Sequence, residues 1–327
     1  MSFRVALVGG GGIAVRHLEA MAMTVMKGAL SPVAVADIRQ ERAEELASPY
    51  GIHAYTDYRL MIEREKPDIV IITLPHYLHR EAAVFAAEND CHVMLEKPMA
   101  LTVQECDEIM VAVRRSGVIL MVGHTQHYIR ENLAAKAIID SGELGELVMI
   151  SDIRHVAYNR PERPDWFFEQ AKAGGGILTN LGSHTVDKIQ WLTHSRIVKV
   201  NASVSYLMDR GDVEGGGMAF LETSRGIPAT LTQSGYTGAS RNETELIFTK
   251  GMLKLLTGDS LWISHGGPYR QMAMEQAELP FVLQFRELLD CIAEGREPEC
   301  SMDYSRSIVA VVDAMYSSHR RKEPVSL

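Results

Sequence analysis

The tripeptide Glu96-Lys97-Pro98 directly follows a short apolar run, His92–Leu95. Such a run predicts a buried parallel strand, and ligands of doubly wound sheets bind beyond the carboxyl ends of these strands. A lysine at that point could donate a hydrogen bond to a substrate hydroxyl, and its charge would favour an alkoxide. Pro98 fixes the backbone beside it and could be cis. We therefore predict a catalytic role for Lys97, with an exposed Glu-Lys pair before a helix as the alternative.

A second set of polar side chains follows the glycine triplet Gly174–Gly176. If a helix begins near Ile177, Asn180 and His184 lie one turn apart. Asp187 is two turns from Asn180, so the three side chains are near one face. An imidazole is a natural proton acceptor for alcohol oxidation near neutral pH. We predict catalytic roles for His184 and Asn180; a structural histidine is the alternative, and Asp187 could support the histidine or form a structural salt bridge.

The segment Val5–Ala14 carries a glycine-rich turn between a predicted strand and a predicted helix. Gly9, Gly11 and Ala14 fit the spacing G-x-G-x-x-A of dinucleotide-binding proteins. Gly9 allows the tight turn, Gly11 lets the backbone approach a pyrophosphate, and Ala14 permits close packing of helix on sheet. The N-terminus of the helix attracts the anion. This context predicts a dinucleotide site, and a purely structural turn is the alternative.

Asp37 ends the second predicted strand. It lies roughly 20 residues after the glycines, where an acidic residue binds the adenosine ribose. A carboxylate there would repel a 2′-phosphate, which favours NAD over NADP. Arg39 could pair with that phosphate, so NADP stays an alternative cofactor. The other interpretation of Asp37 is an ordinary helix cap.

Further candidate side chains lie where other strands end. The segment Thr73–His79 leaves a strand, and His76 or His79 could meet the nicotinamide or simply begin the next helix. The predicted cofactor-binding residues are Gly9, Gly11, Gly12, Ile13, Ala14, Asp37, Arg39, Thr73, Pro75, His76, His79, Glu96 and Lys97. Weaker candidates for the substrate site are His155, Trp166 and Asp187, although Trp166 could equally be a packing residue. No metal site is predicted.

The elements that must position these residues alternate in the first third of the chain. Predicted strands are Phe3–Val8, Val33–Ala36, Ile69–Thr73, His92–Leu95 and Val118–Val122. Predicted helices are Ile13–Met26, Glu41–Ala47, Arg80–Glu88 and Val103–Arg115. This rhythm predicts right-handed βαβ units around a buried parallel sheet. We therefore expect a doubly wound Rossmann domain over residues 1–122.

The rhythm changes in the middle of the chain. Helices are predicted at Leu133–Asp140 and Ile177–Leu192, and a strand at Leu147–Val156. Further predicted strands are Ile197–Met208, Gly217–Thr223, Ala229–Gly235, Glu243–Thr249 and Met252–Leu256. Because no helices separate them, we expect a large, mostly antiparallel open sheet in an α/β domain over residues 123–327. Two helices close the chain, Phe281–Glu294 and Tyr304–Arg320, and the last could pack back on the first domain.

Composition narrows the class of protein. The 327 residues suffice for two domains, and 46% hydrophobic and 23% charged residues are ordinary globular values. A net charge of -9 argues against a general nucleic-acid-binding surface. The four cysteines form no C-x-x-C pair, which favours reduced thiols. Without a signal-peptide pattern or a run of ~18 apolar residues, we expect a cytoplasmic protein whose partners are small molecules, not nucleic acid or a membrane.

Several segments together resemble the glucose–fructose oxidoreductase, inositol dehydrogenase and rhizopine-catabolism (Gfo/Idh/MocA) family of dehydrogenases. The matching pieces are GGGGIAVRH, TLPHYLHREAA, HVMLEKPMA, LMVGH, RPDWF and GGGILTNLGSHTVDKIQWL. Their order and spacing fit over nearly the whole chain. The EKP tripeptide combined with the second glycine segment is much more specific than the glycine turn.

The resemblance implies a Rossmann domain followed by an α/β domain on an open antiparallel sheet, which in that family often mediates dimers or tetramers. It also implies that Lys97 and His184 line the site where nicotinamide meets a sugar, cyclitol or related polyol. Many members carry aspartate at the position of Asn180. Asparagine cannot raise the basicity of a histidine as a carboxylate does, so the proton acceptor is either His184 or neutral Lys97.

The function predicted on this basis is hydride transfer between NAD(P) and a secondary hydroxyl or keto group of a sugar, cyclitol or related polyol. Two other functions stay open: a glycosidase that retains NAD, and a non-catalytic NAD(P)-binding sensor or regulator. The presence of Lys97 and His184 and the lack of a basic recognition helix favour the dehydrogenase. A homodimer or homotetramer is expected from the resemblance alone.

Overall fold

The computed structural model describes residues 2–23, 26 and 28–327. Contacts within the chain divide it into two compact units. The first runs to Thr125 and includes Glu278–Arg306, whereas the second comprises Gln126–Ala277 and Ser307–Leu327. The domain boundary predicted between residues 122 and 123 stays a prediction, since units defined by contacts need not coincide with domains.

Six parallel strands form the sheet of the first unit. They are β1 Phe3–Val8, β2 Leu30–Ala36, β3 His53–Tyr55, β4 Ile69–Ile72, β5 His92–Leu95 and β6 Leu120–Val122. Their order across the sheet, β3-β2-β1-β4-β5-β6, is that of a doubly wound dinucleotide-binding domain. Every residue of β4 is buried, as expected of a strand with helices on both faces of its sheet. The predicted Rossmann sheet is confirmed.

Ten α-helices lie in the described residues. They are α1 Gly12–Ala22, α2 Gln40–Ala47, α3 Tyr58–Glu65, α4 His79–Glu88, α5 Val103–Ser116, α6 Arg130–Ser141, α7 Gln170–Ala173, α8 Ser183–Thr193, α9 Pro280–Glu294 and α10 Met302–Arg321. Helix α9 belongs to the first unit, where it contacts α1. No helix of the described residues is both long and apolar enough to cross a membrane.

Some elements of the first unit differ from the sequence prediction. Strand β3 and helix α3 are not predicted, because β3 has three residues and is too short for a periodic pattern. Helix α3 begins after Asp57, whose side chain accepts hydrogen bonds from two backbone N–H groups of the first turn. Helix α1 ends at Ala22, whereas the predicted helix extends to Met26; its Thr24 and Val25 lie outside the described residues.

Nine strands form the sheet of the second unit. They are β7 Leu147–His155, β8 Ile197–Ser205, β9 Gly216–Thr223, β10 Pro228–Ser234, β11 Arg241–Phe248, β12 Gly251–Leu256, β13 Ser260–Ser264, β14 Arg270–Gln271 and β15 Val325–Ser326. Their order is β14-β13-β12-β11-β7-β10-β9-β8-β15. All neighbours are antiparallel except β7 and β10. The predicted mostly antiparallel sheet is confirmed.

Burial alternates along the strands of this second sheet. In β10, Ala229, Leu231 and Gln233 are buried, while the residues between them are partly or fully exposed. Because successive side chains point to opposite faces of a strand, one face of the sheet is covered and the other is more open. The covered face carries α8, as the hydrogen bond between Gln233 and Thr185 shows.

Candidate functional site

The glycine turn after β1 requires glycine at its first position. Gly9 has a φ of +97°, and a Cβ atom there would lie 2.8 Å from the carbonyl oxygen of Thr73. The Thr73 hydroxyl donates a hydrogen bond of 2.7 Å to the Gly9 carbonyl oxygen. The ends of β1 and β4 therefore approach too closely for any side chain at this point.

The next part of the turn is open. In the described chain, a Cβ at Gly12 would meet no atom within 4 Å, and one at Gly11 would meet only the Thr73 carbonyl oxygen at 3.9 Å. Gly11 precedes the first residue of α1, no side chain caps the helix, and its first turn carries no acidic residue. Free N–H groups at the N-terminus of an eleven-residue helix suit a pyrophosphate. Ile13 is partly exposed beside them and Ala14 is buried against the sheet.

Asp37 connects the end of β2 to this turn. Its Oδ2 accepts the N–H of Gly10 at 2.8 Å and its Oδ1 accepts the N–H of Arg39 at 2.9 Å. Arg42 donates from Nε to the Gly10 carbonyl oxygen at 2.7 Å. The Asp37 side chain stays 12% exposed and the Arg39 side chain 70% exposed. Asp37 and Arg39, which are predicted to contact the ribose or its 2′-phosphate, therefore lie beside the glycines. The turn fits a dinucleotide.

Lys97 emerges from a buried strand end. In the run from Val93 to Ala100 it is the one side chain that is not buried. The peptide bond between Lys97 and Pro98 is cis, which was one of the two forms open to Pro98. Because Lys97 alone is not buried in this run, a single ammonium group is presented at the carboxyl end of β5.

Glu96 is held by a residue that the sequence did not indicate. His17 of α1 donates from Nε2 to Glu96 Oε1 at 2.9 Å across 79 positions of sequence. The rings of Phe281 and Phe285 in α9 pack edge-on against the His17 imidazole. Burial alone would raise the pKa of Glu96, but the hydrogen bond from His17 and the charge of Lys97 lower it. A carboxylate is therefore fixed directly before Lys97.

Of the two histidines after β4, His76 begins the short helical turn that leads into α4, and His79 is the first residue of α4. Both are buried, and their rings contact each other edge-on at 5.7 Å. Nδ1 of His79 lies 2.8 Å from the Pro98 carbonyl oxygen and Nε2 lies 2.9 Å from that of Leu74. Burial lowers the pKa of His79. With a carbonyl oxygen close to each ring nitrogen, His79 anchors the loop around Pro98, and its role toward the cofactor stays a prediction. Pro75 lies partly buried before them.

His184 is the exception on an otherwise buried helix. All residues of α8 are buried except His184. His184 is therefore the one residue of α8 that is partly exposed, and its catalytic role stays a prediction.

Asn180 lies in a π-helical turn, Leu178–Gly182, that precedes α8. The predicted α-helix from Ile177 therefore begins in a wider form, which is common near functional residues. Asn180 is buried, and its Nδ2 donates to the Tyr158 hydroxyl at 3.2 Å. Burial raises the pKa of Tyr158 to about 12, so the hydroxyl keeps its proton near neutral pH.

A buried carboxylate builds this turn. Glu214 accepts the N–H groups of Gly176 and Leu178, each at 2.7 Å. Burial raises the pKa of Glu214, although these bonds oppose the shift. Tyr316 of α10 contacts Thr179 through a hydroxyl–hydroxyl hydrogen bond of 2.9 Å. No sequence signal indicated Tyr158, Glu214 or Tyr316, since each contributes from a distant segment.

The remaining candidates are dispersed. Asp187 is fully buried and accepts a hydrogen bond of 2.8 Å from His127 Nε2, and its role stays a prediction. His155 ends β7 on the face opposite to Asp152, the residue that bonds α8. Trp166 stacks on Phe167 with a centroid distance of 3.7 Å.

Beneath α8, a buried ion pair joins the helix to the sheet. Lys188 Nζ lies 2.8 Å from Asp152 Oδ2, and both side chains are at most 3% exposed. Thr185 and Thr244 donate hydroxyl hydrogen bonds to the same carboxylate at 2.6 and 2.7 Å. Burial would raise the pKa of Asp152, but Lys188 and the two hydroxyls lower it. This network fixes the helix that carries His184.

Two family models match successive parts of the chain. One, described as an oxidoreductase family with an NAD-binding Rossmann fold, matches residues 3–124. The other, described as the GFO/IDH/MocA C-terminal domain, matches residues 132–254. Together they cover most of the chain.

Similar proteins match this chain over all or part of its length. Inositol 2-dehydrogenase of Salmonella typhimurium is 28% identical over 330 residues, covering 95% of this chain and 92% of that protein. The 1-carboxy-3-chloro-3,4-dihydroxycyclo hexa-1,5-diene dehydrogenase of Comamonas testosteroni is 30% identical over 63% of this chain, which spans 51% of that protein. The crystal structure of aldose-aldose oxidoreductase from Caulobacter crescentus, complexed with glycerol, has a TM-score of 0.91, 26% identity and 100% coverage of both chains.

Proposed function

The chain belongs to the Gfo/Idh/MocA family of NAD-binding oxidoreductases, and from that membership we propose that it oxidises a secondary hydroxyl group of a cyclic polyol or sugar. It is an NAD-dependent dehydrogenase. When bound, NAD supplies the hydride acceptor. The choice of substrate and the roles of individual side chains are what we propose.

One observation carries the assignment of roles. Lys97 and His184 are each the single partly exposed side chain in a stretch of buried residues, Val93–Ala100 and α8 respectively. Burying an ionisable group is costly, so a fold that keeps one such group accessible at each of these points favours a use for it. The fixed carboxylate of Glu96 and the network beneath α8 hold the two groups in place.

In this proposal, different side chains transfer the proton and orient the substrate. Lys97 donates a hydrogen bond to the reacting hydroxyl and stabilises its developing negative charge. His184 removes the hydroxyl proton, or Lys97 does so in its neutral form. Asn180, oriented by the Tyr158 hydroxyl, binds a neighbouring hydroxyl and fixes the ring.

The names of the relatives support a ring-shaped polyol as substrate. One is named for inositol, one for aldoses and one for a carboxylated dihydroxy ring. All three descriptions share hydroxyl groups on a compact polar molecule. We extend this shared chemistry to the present chain.

The first experiment follows NADH formation by its near-ultraviolet absorbance, with NAD and a panel of inositols, aldoses, sugar acids and sugar phosphates. Steady NADH production with one class supports the dehydrogenase and identifies its substrates. If no compound of the panel gives NADH while calorimetry demonstrates NAD binding, the proposal is overturned. This outcome would favour a glycosidase that retains NAD or a sensor, and aryl-glycosides would be tested next.

The residue assignment is tested with Lys97→Met and His184→Ala. Each should reduce turnover by at least ~100-fold while NAD affinity changes little, because neither residue forms the glycine turn. Lys250→Met and His265→Ala, which replace exposed residues of the second unit, are the matched controls. Normal oxidation by both test variants would show that the sites are wrongly assigned. A cytoplasmic location and a homodimeric or homotetrameric assembly stay predictions.

A further inference from the structure

Arg154 is a half-buried cation without a partner. It lies on β7 two residues after Asp152, so both side chains point to the face of the sheet that carries α8. Within the described residues it makes no hydrogen bond or ion pair. Burial lowers the pKa of its guanidinium, and the charge of Asp152 opposes this only in part. Such a group is costly to keep unless something neutralises it.

The nearby carboxylate is already committed to another cation. Asp152 is paired with Lys188 at 2.8 Å, and its two oxygens also accept hydrogen bonds from Thr185 and Thr244. One negative and two positive side chains leave this buried group with a net charge of about +1. The surplus charge resides on Arg154.

The neighbour of Arg154 across the sheet is also incompletely paired. Gln233 is in register with Arg154, and its Nε2 donates to the Thr185 hydroxyl at 2.8 Å. This orientation is fixed, because the Thr185 hydroxyl proton is used by Asp152 and only its oxygen can accept. The buried Oε1 of Gln233 has no partner among the described residues. Arg154 therefore forms no hydrogen bond with Gln233 Oε1, although the two residues are in register.

This pair lies under the turn that joins the two candidate catalytic residues of the second unit. A Cβ at Gly182 would be 3.9 Å from Gln233 Cγ, and Gly182 is midway in sequence between Asn180 and His184. Farther along the chain after Arg154, Tyr158 bonds Asn180. Arg154 thus belongs to the same part of the second unit as Asn180 and His184.

We propose that Arg154 is a substrate-binding residue that recognises a carboxylate, so that the preferred substrates are sugar acids or carboxylated cyclic polyols. This rests on the proposed function of the same site. A planar guanidinium pairs with a carboxylate through two parallel hydrogen bonds. A single surplus charge matches a monoanion, whereas a dianionic phosphate would leave a negative charge unpaired. The occupant is therefore a carboxylate rather than a phosphate.

The test compares neutral sugars and cyclic polyols with charged compounds of similar ring size. NADH formation is measured with glucose, glucuronate and glucose 6-phosphate, with galactose and galacturonate, and with inositol and quinate. For wild-type protein we expect kcat/KM to be at least ~30-fold higher for the carboxylated member of the accepted pair. Arg154→Gln should raise KM for that substrate about 30-fold to 100-fold with kcat nearly unchanged. Arg154→Lys should have an intermediate KM, because it keeps charge but loses the paired geometry.

The control is Arg241→Gln, which removes an exposed arginine from the neighbouring strand β11, where it is paired with Glu243. It should leave the preference for carboxylates unchanged. Equal activity on neutral and carboxylated substrates, or an equal effect of Arg154→Gln on both, would overturn the proposal. A preference for glucose 6-phosphate would overturn the choice of carboxylate.

If none of these compounds is oxidised, the proposed function fails separately from the carboxylate site. Calorimetry with NAD-loaded protein then decides: glucuronate, galacturonate or quinate binding that Arg154→Gln abolishes supports the carboxylate site, and no binding refutes it.

Discussion

Two glycine-rich stretches precede helices in this chain, and they serve opposite purposes. At Gly11 and Gly12 an added Cβ would meet almost nothing in the described chain. In the triplet Gly174–Gly176 the space is already filled by protein. A Cβ at Gly175 would lie 2.0 Å from the Tyr316 hydroxyl, and one at Gly176 would lie 2.0 Å from the Glu214 carbonyl oxygen. The second half of the first stretch, Gly11 and Gly12, is open toward a ligand, whereas Gly175 and Gly176 are closed by packing.

Two carboxylates repeat this contrast. Asp37 remains 12% exposed beside the open turn, where it can still bind ribose hydroxyls. Asp152 is 1% exposed, and its oxygens are taken by Lys188 and two threonine hydroxyls. The same residue type therefore stabilises the fold at Asp152 and is predicted to bind the cofactor at Asp37. Variants that separate cofactor binding from stability test this difference between the two units.

The largest effect is expected at the packed triplet. Gly176→Ala should lower the free energy of unfolding by at least about 3 kcal/mol, or prevent folding, because the new methyl group overlaps backbone. Urea unfolding followed by circular dichroism measures it. Gly12→Ala is the control and should change stability by less than about 1 kcal/mol. Wild-type stability in Gly176→Ala would mean that the segment around Glu214 yields easily and that the triplet is not closed by packing.

The next effect concerns Asp152. Asp152→Asn should lower the free energy of unfolding by about 3–5 kcal/mol at neutral pH, because it leaves Lys188 buried without a counter-charge. The pKa of Asp152 is lowered in the folded protein, so its contribution is present above its unfolded pKa near 4 and is lost as the pH falls through the lower folded value. The difference in the free energy of unfolding between wild type and variant, measured with urea, should therefore become smaller below about pH 4.

A double variant serves as the control for this ion pair. Asp152→Asn combined with Lys188→Met removes both charges, so its cost should be smaller than the sum of the two single costs. An additive result would indicate that the pair does not stabilise the attachment of α8 to the sheet.

The smallest effect is expected at the open turn. Gly11→Ala should leave the unfolding free energy within about 1 kcal/mol of wild type, because the methyl group meets only ordinary contact. NAD affinity measured by calorimetry should fall at least ~10-fold, since the methyl group occupies the approach of the pyrophosphate. Unchanged NAD affinity would contradict the view that this turn is open for the cofactor.

The sequence predicted the first unit well because its signals are local. The glycine turn, the strand before it and Asp37 lie within the first βαβ unit, where spacing alone fixes their relation. The family resemblance, the NAD cofactor and both sheets are confirmed. Strand β3 escaped prediction because three residues form no periodic pattern. Helix α3 is as long as the predicted α2 and was missed although Asp57 provides an N-cap signal before it.

The second unit was less predictable, because its decisive contacts join distant segments. Thirty-eight positions separate Gly176 from Glu214, and 137 separate Thr179 from Tyr316. The π-helical turn depends on these partners, and a helical pattern in the sequence cannot distinguish it from an α-helix. Asp187, grouped with Asn180 and His184 by spacing, bonds His127, which the sequence did not indicate, and its role stays a prediction.

The sequence by itself determined the class of protein, its coenzyme turn and the identity of Lys97 and His184 as chemical candidates. Residue type and short-range spacing were sufficient for these conclusions. Only the tertiary structure decided which polar groups are already satisfied, because burial and pairing depend on strands and helices far apart in sequence. Lys188 and two threonine hydroxyls satisfy Asp152 inside the fold, whereas the proposed partner of Arg154 is a substrate carboxylate.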